Sequence, residues 1–173
     1  MKERANEVTF QGNPLTLLGD AIEVGQKAPE FEVVANDLTP IKLADYAGKT
    51  LIISVVPSLD TPVCDTQTRT FNEKATDLAD DVVVLTLSVD LPFAQGRWCG
   101  AAGVDRVVTL SDYKDLAFGS AYGLVIKELR LLTRAVLVVD KTGTVQYIQI
   151  VNEVTQEPDY QAALDKVSTL VTG

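Results

Sequence analysis

Histidine is absent from this 173-residue chain. Its absence excludes Ser–His and Cys–His nucleophile pairs and every metal site built on imidazole. Cysteine occurs only twice, too rarely for a Cys-rich zinc site or for the disulfide framework of a small secreted domain. There is one tryptophan and one methionine, and basic residues are outnumbered, with 15 Lys plus Arg against 24 Asp plus Glu, for a formal charge of -9. An acidic chain lacks the electrostatic footprint of a nucleic-acid binder and is repelled by anionic lipid. Long hydrophobic runs are missing too: stretches such as Leu51 to Val56 are far too short to span a bilayer. The first residues, MKERANEV, are charged with no apolar run of signal-peptide length behind them, so the expectation is a cytoplasmic protein.

What is present is ordinary globular composition, 46% hydrophobic and 23% charged, in a length that suits one domain, residues 1–173. Residues 1–24 differ in texture as an N-terminal extension: Glu7 to Phe10, Gln11-Gly12-Asn13-Pro14 and Leu15 to Leu18 read as strand, turn, strand. A loop from Gly25 to Pro29 and a short strand from Phe31 to Val34 follow. Leu51 to Val56 is apolar on both faces and β-branched, the pattern of a buried central strand. Asp60 or Thr61 to Ala79 reads as a helix, then Val82 to Val89 as a strand, Pro92 to about Cys99 as a short helix, Val107 to Leu110 as a strand and Asp115 to Tyr122 as a helix. Ala135 to Val139 and Thr144 to Val151 are strands joined by Asp140-Lys141-Thr142-Gly143, hence antiparallel. In the closing helix, Pro158 to Val171, residues Tyr160, Ala163, Leu164, Val167 and Val171 form an apolar stripe. A βαβ core followed by ββα implies an α/β, thioredoxin-like fold: a mixed central sheet flanked by helices, with the β-hairpin added at the N-terminus.

Cys64 stands directly after the buried strand, in Pro57-Ser58-Leu59-Asp60-Thr61-Pro62-Val63-Cys64. Pro62 suits the first position of a helix, which makes Thr61 the N-cap and Cys64 the third helical residue. From there the Thr61 hydroxyl is expected to accept a hydrogen bond from the Cys64 N–H. A sulfur in a first helical turn sits among unpaired N–H groups at the positive end of the helix dipole, and such placement raises thiolate character. With no histidine as base, the remaining helper is a cation. Free cysteines are also common as small buried hydrophobes; the position between strand and helix start favours the chemical reading. Thr61 and Gln67 flank Cys64 at three residues, so there is no C-x-x-C and dithiol exchange within one helical turn is excluded.

Pro57-x-x-x-Thr61-x-x-Cys64 matches the peroxiredoxin signature P-x-x-x-T/S-x-x-C. With VVPSLDTPVCD, FNEKA, RWCGAAG and the N-terminal VTFQGNPLTLLG, nearly the whole chain resembles the atypical two-cysteine thiol peroxidase family of bacterial peroxiredoxins. The resemblance implies a peroxidase whose Cys64 thiolate attacks a hydroperoxide and becomes a sulfenic acid. It implies that Pro57 shields the site, that Thr61 hydrogen-bonds thiolate and peroxide, and that Arg134, before the strand Ala135 to Val139, is the cation. On composition alone Arg69 and Arg130 compete for that role, and Arg134 equally suits a strand end paired with a surface carboxylate.

By the same resemblance Cys99 resolves the sulfenic acid in an intramolecular Cys64–Cys99 disulfide that thioredoxin reduces. Arg69 at five residues past Cys64 excludes the subgroup with its resolving cysteine there, and no cysteine lies in the C-terminal tail. Glycines on both sides of Cys99 suggest a helix prone to local opening. No metal, haem or flavin cofactor is implied, and the subgroup suggests a homodimer that favours alkyl hydroperoxides. A peroxide sensor and a non-catalytic thioredoxin-fold module are the alternatives. Trp98, beside Cys99, is expected to be a packing anchor and a fluorescent reporter of redox state.

Overall fold

A computed structural model describes residues 1–75 and 77–172, so Thr76, which the sequence places in a helix, and the terminal Gly173 lie outside the described residues. The chain begins with β1 (Glu3–Phe10) and β2 (Asn13–Leu18), followed by β3 (Glu32–Ala35), β4 (Pro40–Lys42) and a 3-10 turn at Leu43–Tyr46. Then come β5 (Thr50–Val55), α1 (Pro62–Ala75), β6 (Val82–Ser88), α2 (Pro92–Ala102), β7 (Val108–Ser111) and α3 (Ala117–Tyr122). The chain ends with β8 (Val125–Ile126), β9 (Leu131–Leu132), β10 (Ala135–Val139), β11 (Val145–Ile150) and α4 (Tyr160–Thr172).

β5 is buried along its whole length, as its largely apolar run requires, and is the third strand of a seven-stranded sheet ordered β11-β10-β5-β6-β7-β3-β4. β5, β6 and β7 run parallel through the α1 and α2 crossovers, and β10, β11, β3 and β4 add antiparallel neighbours. Side chains alternate between the faces. Ile52, Val84, Val136 and Val138 meet Phe71 and Ala75 of α1 and Ala163 and Val167 of α4. Ile53, Val55, Leu85, Leu87 and Leu137 meet Phe31, Phe118 and Tyr122 on the other side. Among the described residues, no helix is long and apolar enough to cross a membrane.

Several boundaries differ from the sequence expectation. The N-terminal hairpin turns on Gln11 and Gly12 alone, with φ of 51° and 82°, so Asn13 and Pro14 belong to β2. Two residues with positive φ are what a tight hairpin turn needs to match strand twist. α1 stops at Ala75 instead of Ala79, because the Asp77 and Leu78 N–H groups bond to carbonyls three residues back. α2 runs past Cys99 to Ala102 and ends at Gly103 in the left-handed conformation, φ 68°. Val171 is exposed and falls off the apolar stripe of α4.

A second sheet, β1-β2-β8-β9, was not expected beyond its hairpin. It joins the first sheet closely at α3: a Cβ on Gly119 would lie 2.5 Å from Leu132 Cδ2 and 2.7 Å from Val125 Cγ2, so only glycine fits. The buried Asp112 carboxylate, pushed up to about 6 by burial, accepts the Phe118 and Gly119 N–H groups and fixes that helix in place.

Candidate active site

α1 starts where β5 ends, and the proline at its first position commits the chain to helix two residues before Cys64. Cys64 is fully buried and packs with Val56, Leu59 and Trp98. Its Sγ accepts a hydrogen bond from Arg134 Nη2 at 3.2 Å. Arg134 is only 2% exposed. Its Nε donates to the Val154 carbonyl at 2.8 Å and its Nη1 to Gln67 Oε1 at 3.0 Å. Gln67, one turn beyond Cys64 on the same face of α1, is itself held by Nε2 donating to Ser54 Oγ of β5 at 2.8 Å. A chain of side chains from the central strand therefore aims the guanidinium at the sulfur.

The charge balance of this arrangement is telling. Among the described residues Arg134 forms no ion pair with a carboxylate. An unpaired buried charge is strongly destabilising, so a buried guanidinium calls for an anionic neighbour. Of its three hydrogen-bond partners, a backbone carbonyl, an amide and a thiol sulfur, only Cys64 can become an anion. Arg69 and Arg130 are elsewhere: Arg69 pairs with Asp65 and Arg130 is exposed.

Pro57, Thr61 and Arg134 line one mainly apolar cleft of about 320 Å³ together with Phe10, Val154 and Thr155. Cys64 does not line it, but Arg134, which does, donates to the cysteine sulfur. The Thr61 hydroxyl donates to the Ser58 carbonyl at 2.9 Å, in place of the expected cap on the Cys64 N–H. The loop is shaped from outside, since Asp90 accepts Ser58 Oγ at 2.7 Å and the Leu59 N–H at 2.8 Å, which leaves the Ser58 carbonyl under Thr61.

Cys99 is not part of that cleft. Its Sγ lies 3.4 Å from Thr109 Oγ1, whose hydroxyl donates to Asn36, and it lines a separate open depression with Asn36 and Val108. Both thiols are free. The structure thus brings Pro57, Thr61, Cys64 and Arg134 together and leaves Cys99 apart. Among the described residues no three His, Cys, Asp or Glu side chains gather closely enough to hold a metal ion.

Residues 23–164 match the redoxin family. A thiol peroxidase of Halalkalibacterium halodurans is 58% identical over 91% of this chain and 95% of its own, and one of Bacillus subtilis is 54% identical over 95% and 98%. The chain belongs to the thiol peroxidases of the redoxin family. It is an enzyme that reduces peroxides with a thiol, and the alternative of a non-catalytic module is set aside. A crystal structure of a peroxiredoxin-like protein from Aquifex aeolicus superposes with a TM-score of 0.90 at 39% identity, covering 98% of this chain and 99% of that one. The thiol peroxidase of Chromobacterium violaceum, at 19% identity and a TM-score of 0.83, shares the fold. The thioredoxin-like architecture expected from the order of elements is the one this thiol peroxidase has.

Three features of this thiol peroxidase escaped sequence reasoning. Gln67 had a usable signal, its helical i+3 spacing from Cys64. Val154 acts through its carbonyl, which no sequence pattern reveals. Glu153 accepts hydrogen bonds from Thr9 Oγ1, the Gln11 and Gly12 N–H groups, and the Thr155 N–H and hydroxyl. These bonds, the Thr155 hydroxyl foremost, hold its carboxyl well below the usual carboxylate range and tie the hairpin tip to the segment that orients Arg134.

Proposed function

We propose that Cys64 is the peroxidatic cysteine and that Arg134 is the cation that keeps it anionic and stabilises the leaving oxygen. The observation that carries this reading is the buried guanidinium, without a carboxylate partner among the described residues, donating to Cys64 Sγ. The Cys64 thiolate attacks the terminal oxygen of a hydroperoxide, the O–O bond breaks, and the departing alkoxide or hydroxide takes a proton and leaves as alcohol or water. Developing charge on that oxygen falls beside the guanidinium. Pro57 keeps water from the sulfur, and the Thr61 hydroxyl turns from Ser58 to hold the peroxide. The sulfur has no exposed surface, so peroxide entry requires the packing around it to yield.

Cys99 then attacks the sulfenic sulfur, forming the Cys64–Cys99 disulfide and releasing water; thioredoxin reduces the disulfide. The apolar cleft suits organic hydroperoxides at least as well as hydrogen peroxide. A homodimer in the cytoplasm, where cysteines are kept reduced, completes the reading.

The test is intact mass and free-thiol count after one equivalent of cumene hydroperoxide is added to reduced protein. Loss of both thiols within one chain and no added oxygen is the expected result. Cys64 oxidised with Cys99 still free would remove the resolving role, and oxidation without turnover by thioredoxin would turn the enzyme into a sensor.

A further inference from the structure

α1 and α2 carry one cysteine each, and the residue next to each cysteine is tied to the other helix. Asp65 follows Cys64, and Trp98 precedes Cys99. Trp98 Nε1 donates to Asp65 Oδ1 at 2.9 Å, and Asp65 Oδ2 accepts Arg69 Nε at 2.8 Å. The Arg69 guanidinium lies over the Trp98 ring, 5.6 Å from its centroid, and Nη1 reaches the carbonyl of Ala102, the last residue of α2, at 3.3 Å. The indole is therefore held at its N–H by an anion and at its face by a cation, while it packs against the apolar cluster around Cys64. Arg69 also holds the end of α2.

Cys99 meanwhile sits against Thr109, in a depression that Cys64 does not line. Successive residues on a helix point about 100° apart, so any turn or unwinding of α2 that swings Cys99 toward Cys64 carries Trp98 with it. The indole must then leave both Asp65 and Arg69.

We infer that Trp98, Asp65 and Arg69 form a clasp that sets the rate at which the Cys64 sulfenic acid is resolved; this rests on the reading of Cys99 as the resolving cysteine. In the resolving step the Cys99 sulfur bonds to the Cys64 sulfur and the S–O bond breaks. The hydroxide leaves as water with the Cys99 proton. While the clasp is closed, the sulfenic acid remains open to a second hydroperoxide, which transfers an oxygen to give the sulfinic acid and departs as alcohol. Clasp strength thus positions the enzyme between turnover and inactivation. None of its three residues touches the peroxide, so they are positioning residues.

Trp98→Phe keeps a packing ring and removes the N–H. Arg69→Gln, at an exposed position, removes the cation from both the carboxylate and the ring. Each variant and the unsubstituted protein are mixed rapidly with cumene hydroperoxide and quenched in acid, and sulfenic, disulfide and sulfinic forms are followed by mass. The expected result in Trp98→Phe is disulfide formation about tenfold faster, the factor carried by one hydrogen bond to a charged group. Arg69→Gln shifts resolution in the same direction with sulfenic acid formation unchanged, and the sulfinic fraction falls in both. Resolution at the original rate or slower in both variants would overturn the clasp. If the unsubstituted protein forms no disulfide, the role of Cys99 fails and the clasp fails with it.

Discussion

Arg134 is the residue that ties the candidate site together. A guanidinium is a planar fork of donors, and here its three nitrogens reach three acceptors set at different angles: a carbonyl of the 152–155 segment, an amide of α1 and the sulfur. Lysine carries the same charge on a compact head that cannot span those acceptors, and would leave Gln67 or Val154 without a partner. Arg134→Lys should lower kcat/KM for hydrogen peroxide by about 10²-fold, the scale of losing one preorganised donor at a site of developing charge. Steady-state assay with thioredoxin measures it, and unchanged kinetics would remove Arg134 from the mechanism. That Pro57, Thr61 and Cys64 gather at one end of α1 was legible because their spacing is local. Arg134 lies seventy residues beyond Cys64, and nothing local distinguishes it from Arg69 or Arg130; resemblance alone singled it out. Thr61 shows the opposite failure, where a sound local rule gave way to Asp90, a long-range partner that reshapes the loop.

Among the elements, long runs were legible and short ones were not. β5 and β10 announce themselves through buried stretches rich in β-branched residues, but β8 and β9 have two residues each, too few to show alternation. They exist because β2 offers them an edge to pair with. The hairpin was legible as a hairpin, yet its function was not, since that depends on Glu153. Through Glu153 the hairpin tip, with Phe10 at the cleft wall, is fastened to the segment whose Val154 carbonyl holds Arg134. Glu153→Ala should release the tip: hydrogen exchange at the Gln11 and Gly12 amides accelerates, and KM for cumene hydroperoxide rises several-fold, more than KM for hydrogen peroxide. Because the folded state holds this carboxyl below its ordinary value of 4.5, its contribution is full above that pH and is lost as pH falls below it. Acidification of the unsubstituted protein should therefore loosen the same amides that the variant loosens. Equal exchange in variant and parent would show that the two backbone bonds between Thr9 and residues 152 and 154 hold the hairpin unaided.

Across the whole molecule both cysteines sit on helices that cover one face of the central sheet. α1, α2 and α4 pack there, while Phe31, Phe118, Tyr122 and the second sheet consolidate the other face and contain no cysteine. The proposed Cys64–Cys99 disulfide would remove unfolded-chain entropy worth about 4 kcal/mol in the loop-closure model, and would cost native contacts of α1 and α2 in return. That exchange is tolerable only if the damage stays local. The buried strands β5, β6 and β10 hydrogen-bond to one another without help from the two helices, and Phe71 of α1 meets Tyr160 of α4 well beyond the first turn, with ring centroids 5.3 Å apart. Hydrogen exchange of reduced protein against protein treated with one equivalent of cumene hydroperoxide should accordingly show faster exchange in the first turn of α1 and along α2. Protection of β5, β6, β10 and α3 should be unchanged. Trp98 fluorescence should shift to the red as the indole leaves its packing for water. Protection lost across the sheet would mean that oxidation unfolds the molecule globally. Protection unchanged everywhere would mean that the two sulfurs meet by side-chain motion alone, a result difficult to reconcile with a Cys99 thiol in contact with Thr109 and a fully buried Cys64.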